Sequence, residues 1–168
     1  MPDPGRPLHL LLAEDSEEEA LIFQNAFERT GRPSTFYVTR DGEQTMHYLA
    51  GAPPFDDRLR YPFPTLLILD LKMPGLFDGF DVLKWLQGHP AYSVTPTIIF
   101  TSSNDPDDIR RAYSLGATAY IVKPGNLSRL VEMLKSISQF WGFCEQVEPA
   151  DRKDLKRRLP GTFRTSLG

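Results

Sequence analysis

Five short apolar runs recur along the chain, and a helix-like pattern follows each one. They are "LHLLLA" (Leu8 to Ala13), "STFYVT" (Ser34 to Thr39), "TLLILD" (Thr65 to Asp70), "TIIFT" (Thr97 to Thr101) and "TAYIV" (Thr118 to Val122). Runs this short, closed by polar residues, read as strands. Several are apolar without alternation, so both faces of those strands meet protein. That is the pattern of a parallel sheet covered by helices on both sides. The intervening segments carry helix signals. "DSEEEALIFQNAFERTG" has Ser16 placed as N-cap, with Glu19 three residues on completing a capping box. Ala20, Phe23 and Phe27 follow at helical spacing as a core stripe, and Gly31 suits the stop. "GEQTMHYLA" predicts a short second helix. "GFDVLKWLQG" predicts a third, with Phe80, Leu83 and Leu86 on related faces. "DPDDIRRAYSLG" has Asp105 at the cap, Pro106 in the first turn and Gly116 at the stop. "NLSRLVEMLKSISQFWGF" predicts a long last helix. Five alternations of strand and helix predict an α/β fold: a doubly wound, five-stranded parallel sheet of flavodoxin-like order 2-1-3-4-5.

The 168 residues suit one domain over 8–145, a short tail over 1–7, and a polar, basic tail over 146–168. A net charge of -3 argues against nucleic acid or a membrane surface as partner. No apolar run approaches the roughly 20 residues of a membrane span. "MPDPGRPLHL" lacks the pattern of a secretion signal. The single cysteine, Cys144, has no internal partner for a disulfide and fits a reducing, cytoplasmic setting. One segment breaks the rhythm: Ala50 to Pro64 is long for a connection, so it is either ordered for a purpose or mobile.

Ligands of open parallel sheets bind beyond the carboxyl ends of the strands. Strand one ends in Glu14 and Asp15, strand three in Asp70, strand four in Thr101 and strand five in Lys123. In the order 2-1-3-4-5 these four strands are neighbours, and their ends share a cleft. Two carboxylates about 4 Å apart repel by roughly 4 kcal/mol at an effective dielectric near 20. A divalent cation with oxygen ligands offsets that repulsion, and magnesium commonly takes one or two carboxylates together with phosphate oxygens and waters. Lys123 adds an ammonium and Thr101 a hydroxyl. Metal, ammonium and hydroxyl suit a transferring phosphoryl group, leaving Asp70 as nucleophile.

The chain resembles the receiver domains of two-component response regulators. The resemblance rests on "LLAEDS" with Glu14 and Asp15, "LLILDLKMPG" with Asp70, "IIFTSS" with Thr101, and "AYIVKP" with Tyr120, Lys123 and Pro124. It covers about residues 8 to 143. It implies that Asp70 accepts a phosphoryl group from a sensor histidine kinase. It implies magnesium on Asp15, Asp70 and the backbone carbonyl of Lys72, with Glu14 acting through water. It further implies that Thr101 and Tyr120 form a switch pair and that Lys123 contacts the phosphoryl group. The Ala50 to Pro64 insert, "FTSSNDPDDI", and "SISQFW" followed by a tail resemble the stand-alone regulators that partner phytochromes. One departure stands out: "MPGLFDGFDVL" is a residue longer between Pro74 and Asp78-Gly79 than the usual pattern.

Three other functions compete. An aspartyl-phosphate phosphatase of haloacid dehalogenase type wants a second aspartate two residues after the nucleophile, where this chain has Lys72. A nucleotide-binding domain wants a G-x-x-x-x-G-K-[ST] or G-x-G-x-x-G loop, and neither occurs. A receiver-like module that binds partners without phosphorylation has no need of the full acid set. The reading is therefore a signalling module and not an enzyme. On the last helix, Leu130, Leu134, Ile137 and Trp141 form a stripe suited to the sheet, whereas Met133, Phe140 and Cys144 lie on a second one. Either the C-terminal tail covers the second stripe, or two chains associate as a homodimer through the strand-four to last-helix face.

Overall fold

The computed structural model describes residues 5–147. Five parallel strands form one sheet in the order β2-β1-β3-β4-β5. The strands are β1 (Leu8–Ala13), β2 (Ser34–Thr39), β3 (Leu66–Leu69), β4 (Thr97–Thr101) and β5 (Ala119–Val122). The helices are α1 (Glu17–Glu28), α2 (Gly42–Ala50), α3 (Gly79–Gln87), α4 (Pro90–Ser93), α5 (Pro106–Ser114) and α6 (Leu127–Phe143). The doubly wound order follows as expected. The short α4 was not expected: Pro90 starts one turn of helix between α3 and β4, with Tyr92 N–H bonding back to His89 O.

Alternate residues of each central strand feed two cores. Leu8, Leu10 and Leu12 of β1 join Leu66, Ile68, Ile98 and Phe100 under α1 and α6. Leu11 and Ala13 join Leu67, Leu69 and Ile99 under α2, α3 and α5. The three central strands are almost wholly buried, and β2 and β5 are only partly so, as edges must be. Phe23 and Phe27 of α1 are buried as the sequence predicts, with rings edge-on to Phe36 at centroid distances of 6.3 and 5.3 Å. On α6, Leu130, Leu134 and Trp141 are buried and Ile137 is half-buried in the same core. Among the described residues, no helix is long and apolar enough to cross a membrane.

The segment between α2 and β3 is ordered by one arginine. Arg58 Nη1 donates to Tyr48 O (2.8 Å) and Tyr61 O (3.2 Å), and Nη2 donates to Leu49 O (2.9 Å). Tyr48 and Leu49 lie in the last turn of α2, whose carbonyls have no partner within the helix. The same guanidinium lies 4.0 Å from the centroid of Phe63. Tyr48, Phe55, Tyr61 and Tyr37 pack their rings together beneath it. Arg58→Ala is expected to strip Leu49 O of this donor and leave Tyr48 O with only the Gly51 N bond (3.2 Å), at a cost of about 2 kcal/mol. Urea unfolding measures the loss, and amide exchange should rise first in the last turn of α2.

Candidate functional site

Sheet pairing fixes the backbone of each strand-end residue. Glu14 N donates to Thr39 O (3.0 Å), Asp70 N to Ala13 O (3.0 Å) and Lys123 N to Thr101 O (2.8 Å). The ladders thus run one residue past the strands and deliver these side chains to one cleft. Glu14, Asp15 and Asp70 each place a carboxylate oxygen there, all within 4.8 Å of one another. Glu14 and Asp70 are buried, and Asp15 is exposed.

Lys123 stands on the other side of these acids. Its Nζ donates to Glu14 Oε2 (2.8 Å) and to Asp70 Oδ2 (2.9 Å). It also donates to Glu19 Oε2. The second oxygen of each buried acid is held by main chain: Glu14 Oε1 accepts from Ser16 N (3.1 Å), and Asp70 Oδ1 accepts from Lys72 N (3.1 Å). Lys72 thus reaches the site through its backbone, while its side chain is exposed. Thr101 is fully buried, and its Oγ1 has no hydrogen-bond partner among the described residues. Such a buried, unsatisfied hydroxyl is rare and needs a reason. Tyr120 is half-buried; its hydroxyl donates to Ser103 O (3.0 Å), two residues past Thr101. Ser103 Oγ in turn donates to Asp108 Oδ2 of α5 (2.6 Å).

The loop after Asp70 is held by close backbone contacts. Gly79 N donates to Leu71 O (3.0 Å), and Gly42 N donates to Phe77 O (3.2 Å). A β-carbon on Gly79 would meet the carbonyl of Asp70 and lie 2.7 Å from Leu71 Cα; one on Gly42 would lie 2.9 Å from Phe77 C. Between Pro74 and Asp78 the loop runs at the surface, where Leu76 is exposed. Asp78 and Asp81 close a reciprocal capping box at the start of α3.

Sequence reasoning placed Glu14, Asp15, Asp70 and Lys123 together, and they are together. It missed the role of Glu19. Ser16 Oγ does accept from Glu19 N (3.2 Å), but the Glu19 carboxylate turns to Lys123 and does not close the capping box. The available signal was its place in the first turn of α1, which starts just past the strand-one acids.

Burial, with the Asp70 charge nearby, pushes the Glu14 carboxyl up to about 7 despite its bond to Lys123. Burial acts to lower the Lys123 pKa, but its bonds to Glu14, Glu19 and Asp70 outweigh that and raise it. Burial also raises the Tyr120 phenol. For Glu14 the folded protein then holds a proton that the unfolded chain loses near pH 4.5. Between those values the folded state binds more protons, so stability falls as pH rises. Without divalent cation, unfolding free energy is expected to drop by roughly 1 to 3 kcal/mol from pH 4.5 to 7.5. Glu14→Gln should flatten that slope in chelator-treated protein unfolded by urea.

A doubly wound sheet that gathers three carboxylates, an ammonium and a buried hydroxyl at its strand ends defines a signalling domain with a divalent-cation pocket. The chain belongs to the response regulator receiver domain family, which matches residues 10–135. It is similar to the response regulator Rcp1 of Synechocystis, 30% identical over 135 residues, 80% of this chain and 89% of that one. It is also similar to the solved structure of RPA3017, a response regulator in red light signaling of R. palustris. That match has a TM-score of 0.79 at 33% identity and covers 84% of this chain and 99% of RPA3017. A third likeness is to the phosphorylated cyanobacterial phytochrome response regulator RcpA, with a TM-score of 0.74 at 30% identity over 81% of this chain and 94% of RcpA. Receiver domains bind divalent metal at an acidic pocket, and Rcp1 has been solved in its Mn(2+)-bound form. The carboxylates of Glu14, Asp15 and Asp70 fit such an ion in charge and spacing.

Proposed function

We propose that Asp70 accepts a phosphoryl group from a sensor histidine kinase and that the modified domain signals through a changed surface. The observation that carries this is the Thr101 hydroxyl, buried at the site and unpartnered. With Lys123 Nζ 2.9 Å from Asp70 Oδ2, it offers donors for oxygens that only a group attached to Asp70 would bring. In the transfer, an Asp70 carboxylate oxygen forms a bond to phosphorus while the P–N bond of the kinase's phosphohistidine breaks. The electron pair of that bond returns to the departing imidazole. Asp15, Asp70 and the backbone carbonyl of Lys72 would hold magnesium, with Glu14 acting through water, and the bound ion would supply charge neutralisation for the phosphoryl oxygens. Lys123 binds one of those oxygens and fixes its orientation. The new group carries about -1.5 to -2 charges and three acceptor oxygens. Thr101 turns its hydroxyl toward one of them, and Tyr120 follows, drawing on the chain through Ser103 to Asp108 of α5.

Lys72 at the second position after Asp70 places an exposed ammonium where a phosphatase wants a carboxyl, which favours a lasting phosphoryl group over rapid turnover. The likeness to RPA3017 and RcpA supports a kinase of phytochrome type, and the lone cysteine supports work in the cytoplasm. The test is incubation with acetyl phosphate, with and without magnesium, read by intact mass. One phosphoryl group should appear only with the cation. Asp15→Ala should weaken magnesium binding and slow the reaction by about a hundredfold, in line with losing a direct metal ligand. Labelling without divalent cation would overturn the metal assignment.

The output surface in this reading is a homodimer through β4, β5 and α6. Val122 at the sheet edge and Phe140 on α6 are exposed, and Met133 of the same helix lines a groove with Val122. Together they give an apolar face that a second copy would cover. Of the alternative cover, the C-terminal tail, Gln146 and Val147 line a pocket with Phe140 and Cys144, and the residues from 148 on lie outside the described ones. Light scattering over a concentration series is expected to show dimers for the wild type and monomers for Phe140→Asp. A wild type that stays monomeric at high concentration, phosphorylated or not, would exclude the dimer.

A further inference from the structure

We infer that Glu19 is a positioning residue that holds Lys123 in the resting site and must release it when a phosphoryl group forms; this rests on the reading of Asp70 as acceptor. An ammonium has three N–H donors. In Lys123 all three are engaged, by Glu14 Oε2, Asp70 Oδ2 and Glu19 Oε2. A phosphoryl oxygen arriving beside Asp70 therefore finds no spare donor on Lys123, and one acid must give way.

The three acids differ in how readily they leave. The Glu14 side chain is 4% exposed, and its other oxygen is tied to Ser16 N. Asp70 is 8% exposed and carries the new group itself. Glu19 is 50% exposed. Its carboxylate can swing into water and be solvated there, whereas Glu14 is buried and would lose the bond to Lys123 with no water to replace it. The exchange that costs least is thus Glu19 for a phosphoryl oxygen. Until it occurs, the Glu19 charge also repels the incoming phosphodonor. Both effects have one sign: Glu19 restrains modification of Asp70.

A helix-capping role does not account for this carboxylate. Ser16 N, which a capping box would pair with Glu19, donates to Glu14 Oε1. The cap bond that does exist runs from Glu19 N to Ser16 Oγ, and any residue at 19 can keep it. E19Q removes the charge, preserves length and leaves that bond in place, so the fold should be unaffected.

The experiment is titration of the full chain with beryllium fluoride at saturating magnesium, for wild type and E19Q. E19Q is expected to bind the phosphoryl mimic about fivefold more tightly, the size of a partly exposed ion pair. Its magnesium affinity without fluoride should be unchanged or slightly weaker, the opposite direction from the mimic. The Lys123 Cε proton resonances of the free protein should shift, a change that a purely structural role for Glu19 would not produce. If the wild type binds the mimic and E19Q binds it equally or more weakly, Glu19 is no restraint and the inference fails while Asp70 stands. If neither protein binds it, the Asp70 reading fails and takes this one with it.

Discussion

Gly79→Ala is expected to cost about 3 kcal/mol of stability and to weaken the metal site together with it, the effect of overpacking against rigid atoms. Gly79 opens α3 directly beneath the peptide that follows Asp70. A β-carbon there meets the Asp70 carbonyl and sits 2.7 Å from Leu71 Cα. Neither is the far end of a flexible side chain, so relief requires the backbone to move. The backbone in question carries Asp70 and is tied to α3 by the bond from Gly79 N to Leu71 O. α3 cannot retreat easily either, because Phe80, Val82, Leu83 and Leu86 are buried in the core on that side of the sheet. Alanine narrows the unfolded ensemble by a few tenths to about 1 kcal/mol in the opposite direction, which leaves the net loss large. Urea unfolding gives the stability change and magnesium titration the site change. A loss below about 0.5 kcal/mol, within the range of an ordinary surface substitution, would contradict the close approach.

The contrast between what local sequence carries and what it does not is clear at particular residues. β1, β3 and β4 were legible because a strand buried on both faces must be apolar throughout, and few other structures demand that. Asp105, Asn126 and Asp41 each accept from a backbone N–H in the first turn of their helices. Such caps depend on neighbours within three residues, so the caps at Ser16 and Asp105 could be read. The acids and Lys123 were legible as a set because parallel topology sends every strand's carboxyl end to one edge.

Two features depended on distant partners, and a third departed from the usual residue pattern. Arg58 orders the Ala50 to Pro64 segment only by reaching back to the end of α2, and nothing near it in sequence announces that contact. Glu19 looks like half of a capping box, but Lys123, 104 residues away, takes its carboxylate. An ammonium in a cleft outcompetes a backbone N–H, because charge-assisted hydrogen bonds are roughly twice as strong. The capping box that does form uses Asp78 and Asp81, with the shorter acid at both positions, outside the Ser/Thr-then-Glu pattern.

The site also explains why so acidic a cluster is compatible with a stable fold. Lys123 neutralises part of the charge, and the proton that Glu14 keeps up to about pH 7 removes another part. Divalent cation replaces that proton when it binds, so magnesium affinity should rise with pH up to neutrality.

The second large effect belongs to Asp70 itself. Asp70→Asn keeps the size of the side chain, the acceptor for Lys72 N and an oxygen or amide beside Lys123, so the fold should persist. It removes the carboxylate proposed as nucleophile and one of the three clustered acids. An amide is neutral and a far weaker nucleophile, so no acyl phosphate is expected to form. The direct measurement is intact mass and peptide mapping after incubation with acetyl phosphate and magnesium, for wild type and Asp70→Asn side by side. The account predicts one phosphoryl group on the wild type, mapped to the peptide containing Asp70, and none on the variant at any time point. Full labelling of Asp70→Asn, or a wild-type phosphoryl group mapped to another residue, would contradict it.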